Sequence, residues 1–142
     1  MGYYIRFFTT QPLGTLVPVH AQMHQRGYQV NPAGTNQLDV IYDSKREPVQ
    51  IDMSDSTSPT TREDVRAFID VVSRVSGEPE QARVLDVLAR TQAVIAVGVP
   101  DDYDEQSGTV FDVIEIIANA AVGLFQVDGE GFYDGAQLIL RL

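Results

Sequence analysis

The chain has 142 residues, 44% hydrophobic and 21% charged, which suits one globular domain able to bury a core of its own. It contains no cysteine, so disulfides, thiolate metal sites and cysteine nucleophiles are excluded. A formal net charge of −10 opposes nucleic acid and anionic membranes as partners, because phosphate contacts need a basic footprint.

The start, MGYYIRFFTT, lacks the basic start, long apolar stretch and small-residue cleavage site of a secretory signal. The longest apolar run, AVIAVGV at 93–99, is too short to cross a bilayer. The expectation is a cytoplasmic protein. YYIRFFT at 3–9 is rich in aromatic and β-branched residues and predicts a strand. Both of its faces are largely apolar, which places it centrally in a sheet.

A helix is predicted over roughly 16–26, with Pro18 tolerated in its first turn and Gly27 placed to end it. YQV at 28–30 reads as a short strand and NPAGTN at 31–36 as a turn. LDVIYD and PVQIDM alternate around SKRE, which predicts a hairpin with strands near 38–43 and 48–53. Thr60 and Glu63 have capping-box spacing ahead of a helix whose apolar face holds Val65, Phe68, Ile69, Val72 and Val75.

Gly77 ends that helix, and Pro79 suits the first turn of another, over 79–91. AVIAVGV reads as a buried strand, and FDVIEIIANAAV, from 111, as an almost wholly apolar helix packed on the sheet. GLFQV and AQLILRL complete the chain as strands. The order β-α-β-β-β-α-α-β-α-β-β gives an α+β (mixed α/β) single domain over 1–142, a mixed sheet with helices packed against it. Helical connections between strands 48–53, 93–99 and 123–127 favour parallel neighbours.

Parallel strands would bring the loops that follow them to one edge of the sheet, where α/β proteins bind ligands. Those loops are acidic: Asp52 and Asp55, then Asp101, Asp102, Asp104 and Glu105, then Asp128, Glu130 and Asp134. Oxygen ligands of this kind suit Mg²⁺ or Ca²⁺. An EF-hand loop beginning at Asp128 would need glycine at Tyr133 and glutamate at Ile139, and has neither. VDGEGFYD resembles in outline the D-x-D-G-T phosphatase signature of the haloacid dehalogenase family. Glu130 replaces its second aspartate and Phe132 its threonine, so the match is not carried over. The glycines of FQVDGEGFYDG are the residues that tight turns between strands require, so no cofactor is expected there.

His20 and His24 are one helical turn apart and could share a zinc ion with a third ligand, but the glutamate of H-E-x-x-H is absent. They read as polar residues flanking the Val19 and Met23 core stripe. No nucleophile elbow, phosphate loop or dinucleotide fingerprint occurs. Tyr103, Phe132 and Tyr133 are aromatics beside acidic loop residues, a composition that suits recognition. Two expectations follow. The first is a non-enzymatic interaction module that binds a basic protein surface or a second copy of itself. The alternative is a divalent-metal-dependent hydrolase or phosphotransfer enzyme, with Asp128 and Glu130 as ligands and Asp101 or Asp102 as a third.

Overall fold

The strand β1 (Tyr3–Thr9) lies inside the sheet and hydrogen-bonds a neighbour on each side, as its two apolar faces require. The computed structural model describes residues 2–142. Along the chain come α1 (Val17–Gln25), β2 (Gln29–Gly34), β3 (Gln37–Ile41) and β4 (Val49–Asp55), then α2 (Pro59–Ser73) and α3 (Gln81–Ala89). They are followed by β5 (Ala93–Val99), a 3₁₀ turn at Glu105–Ser107, α4 (Thr109–Ala120), β6 (Gly123–Val127), β7 (Gly131–Asp134) and β8 (Gln137–Arg141). The expected order of elements is present, and Gly131–Asp134 adds one more strand. Among the described residues no helix is long and apolar enough to cross a membrane.

The eight strands form one sheet in the order β2-β3-β4-β5-β1-β6-β7-β8. Every neighbouring pair is antiparallel, which corrects the expectation of parallel neighbours. The reason lies in the connections. Between β4 and β5 stand the two expected helices, and such an α-hairpin returns the chain to the end it left, so that Asp55 pairs with Ala93. The single helix α4 does carry the chain from one end to the other. But β1 is inserted between β5 and β6, so the strands it joins never touch.

Side chains alternate across the sheet into two cores. Ile5 and Phe7 face α1 and α4, together with Val19, Met23, Val113 and Ile117. Phe8 faces α2 and α3, with Val72, Val84, Leu88, Phe132 and Leu140. Phe8, Phe68 and Phe132 form a ring cluster with centroids 5.6, 5.9 and 6.1 Å apart. The helical layers are offset: α1 and α4 cover one face from β2 across to β1 and the edge of β6, while α2 and α3 cover the other from β5 to β8.

Two local expectations are corrected. Residues 31–34 extend β2 rather than forming a turn; Pro32 is tolerated because β2 is an edge strand, where a missing N–H need not break a ladder bond. The capping box also fails. Ser58 is the N-cap and Pro59 opens α2, so Thr60 lies inside the helix and no side chain caps it.

FQVDGEGFYDG is β6, a turn, β7 and the start of a second turn. Gly129 (φ 79°) and Gly131 (φ 146°) supply backbone conformations that other residues rarely adopt. A Cβ on Gly131 would lie 2.1 Å from the Leu140 carbonyl oxygen. Chemical denaturation should therefore show Gly131→Ala to be destabilising. Phe132→Ala should lose about 3–5 kcal/mol, the usual result of emptying a fully buried aromatic site.

Candidate functional site

The helix α4 has more apolar surface than one core can use. Val113, Ile116 and Ile117 are buried against the sheet and α1. On its other side Phe111, Ile114 and Ala118 follow one another at i, i+3 and i+7, the spacing of a helix-packing seam. Phe111 is 72% exposed. The offset of the helical layers explains why: beyond α4 this face of the sheet has no further helix to receive the seam.

The result is a groove of about 580 Å³ with α4 as one wall and the open strands as its floor. The floor is apolar, made by Ile5 of β1 and by Phe125 and Val127 of β6. Tyr3, Tyr103 and Tyr133 stand around it, and Glu105, Glu115 and Glu130 form an acidic rim. Tyr103 is held by its hydroxyl, which accepts the Val110 N–H at 2.9 Å and so fixes the start of α4. The Tyr133 hydroxyl donates to Glu130, and that bond, with lesser burial, pushes the phenol above its ordinary pKa. Burial raises the Tyr3 phenol too, helped by the negative charge of Glu105 and Glu130.

The rim carboxylates differ in their surroundings. Glu115 accepts from Arg26 at 2.9 Å, and Arg26 also bonds Asp112. Among the described residues no basic side chain pairs with Glu105 or Glu130.

Of the sequence-derived candidates, Tyr103, Glu105, Glu130 and Tyr133 line this groove. The others lie elsewhere. Asp102 accepts the Glu47 N–H and its carbonyl accepts from Arg46, which ties two loops together. Asp104 accepts the Gln106 N–H at 3.0 Å and caps the 3₁₀ turn. Asp101 follows β5 in the same loop. Asp134 pairs with Arg83 at the opposite end of the sheet from Asp128. Phe132 points into the α2–α3 core. Asp55 also ends its strand at the far edge, since β4 runs against β5.

Asp128 is bound into the opposite face of the sheet. It accepts from Arg6 at 2.8 Å and from the Tyr4 N–H at 3.1 Å. Arg6 bonds Gln126 as well and lies over the Tyr4 and Phe68 rings. His20 and His24 project from α1, and among the described residues no three His, Asp or Glu side chains are placed to hold a metal ion.

Sequence reasoning missed Tyr3, Ile5, Phe111, Ile114 and Phe125. The available signal was the excess apolarity of FDVIEII, whose second face has no use in a helix covering one core. No known family, curated protein or solved structure matches the chain.

Two carboxylates give pH effects of opposite sign. Burial raises the Asp128 pKa, but the Arg6 and Tyr4 hydrogen bonds outweigh it and the net shift is downward. Its contribution is therefore present above the unfolded carboxyl value near ~3.9 and lost as pH falls through the lower folded value. Asp128→Ala should lose about 1 kcal/mol at pH 7, because Arg6 keeps Gln126 and Asp64 and the partly exposed pair is screened by water, and much less in strong acid. Asp52 is raised by burial and then by Asp39, so its contribution is present in acid and lost as pH rises. Thermal melts of Asp52→Asn should show a gain at pH 7 that disappears below about pH 3.

Proposed function

We propose that this chain is a non-catalytic interaction module that receives a protein partner in the groove beside α4. The observation that carries the reading is Phe111, a large side chain left 72% exposed on a wall of an apolar groove. Single exposed apolar residues are common, but an apolar helix seam continuous with an apolar sheet floor and rimmed by charge marks an interaction site. Aromatic side chains with polar ends, such as Tyr3, Tyr103 and Tyr133, suit such a surface because each gives large contact area and a hydrogen-bonding tip. As a partner-binding domain without cysteine, the protein suits the reducing cytoplasm.

A photo-crosslinking residue at position 111, used in a lysate of the source cells, should capture a discrete partner. The same residue at position 74, an exposed site directly after α2, should not. Ala118→Asp, at an exposed position of the same wall, should abolish the capture at 111 while leaving the melting temperature within a few degrees of the parent's. Equal capture at both positions, or none at 111, would count against the groove as a binding surface.

A further inference from the structure

The groove has a shape and a charge that together define what fills it. Its helical wall presents Phe111, Ile114, Glu115 and Ala118, the i, i+3, i+4, i+7 pattern by which one helix packs along another. From Val110 to Ala118 that wall is about 12 Å long, a little over two turns. The floor is flat sheet, and its polar backbone groups are already paired within β1, β6 and β7. An occupant therefore gains little from hydrogen-bonding to the floor and much from laying an apolar stripe between the sheet and α4. A helix does that with its own backbone satisfied. On the other face of the sheet the neighbouring strands are covered by a helix pair in the same way, α2 and α3 over Phe132 and Leu140.

The rim supplies the sign. Glu105 and Glu130 flank Tyr3 at one end of the groove and have no basic partner among the described residues. Glu115 stands on α4 beside the seam. A second copy of this chain fits poorly: two grooves meeting would set glutamates against glutamates within a molecule of net charge −10.

Resting on the interaction reading above, we infer that the groove's occupant is a basic amphipathic helix of another protein. Its apolar stripe packs along Phe111, Ile114 and Ala118, and a lysine or arginine sits between Glu105 and Glu130.

The test uses synthetic peptides of about 18 residues, or about five turns. One carries leucine at helical i, i+3, i+4, i+7 spacing with lysine on the flanks. A second has glutamate for every lysine. A third keeps the first composition but scatters the leucines so that no face is apolar. Fluorescence anisotropy should show the first binding and the other two not, with weaker binding as salt is raised. Amide spectra should place the perturbation at Phe111, Ile114 and Tyr133.

Phe111→Asp should weaken the first peptide about tenfold or more. Glu105→Gln with Glu130→Gln should weaken it several-fold and flatten its salt dependence. Phe111→Ala serves as a second variant with minimal effect on folding. Binding of the first two peptides alike, no binding of the first, or unchanged affinity in Phe111→Asp and Phe111→Ala would each overturn the inference. The two levels separate cleanly. A partner crosslinked at position 111 whose bound segment is acidic or extended would leave the interaction module standing and remove the basic helix.

Discussion

The alternation of side chains along β1 is the constraint on which the rest of the molecule rests. Seven consecutive residues send Ile5 and Phe7 to one core and Phe8 to the other, with hydrogen bonds to β5 and β6 on either side. A slip of one residue would exchange the two cores. Arg6 resists that slip. It sits among the residues facing α2, where Asp128, Gln126 and the Tyr4 and Phe68 rings receive it. The register is thus set by packing on one face and by a charged contact on the other.

From that register follows the offset of the helices. The α-hairpin fills the space above Phe8, Leu124 and Phe132, while α1 and α4 pack over Ile5, Phe7 and the strands towards β2. Four helices do not cover both faces of eight strands. The two uncovered quarters differ in chemistry. One carries polar groups of β3 and β4, among them the half-buried Asp39 and Asp52. The other carries half-buried Val127 and the outer seam of α4 above the buried Phe125, and it is the groove. The apolar quarter adjoins a helix whose own outer face is apolar, so the two surfaces act as one.

Much of the fold was legible because the strands and helices carry local signals. YYIRFFT shows itself as a central strand by having no polar face, and Gly77 with Pro79 marks the break between two helices. Pairing direction was misjudged although the two helices between β4 and β5 were legible from Gly77 and Pro79: a helix pair returns the chain to the end it left, and the expected parallel pair is antiparallel. The acidic loops misled for another reason. Asp128 meets Arg6 across 122 residues, a contact that no spacing reveals. Phe132, between glycines, looked like a loop aromatic because GFYD is short, yet strand pairing with β6 and β8 turns it into the core. The groove was half legible: Tyr103, Glu105, Glu130 and Tyr133 drew notice, whereas Tyr3 was read only as a strand residue and Phe111 and Ile114 were absorbed into a helix taken to be wholly packed.

The position of β1 also governs the order in which the molecule can be made. This strand is synthesised well before its hydrogen-bonding partners in β6, which lie 114 to 122 residues further along. Neither core can close around it until the last third of the chain has been synthesised. Long-range antiparallel pairing of this kind slows folding, because loop-closure entropy is lost before the contacts form. During that interval YYIRFF is an unpaired apolar strand, the type of segment that associates with other chains. A domain of modest size thus carries an early demand for protection of its N-terminal strand, imposed wholly by where that strand ends up.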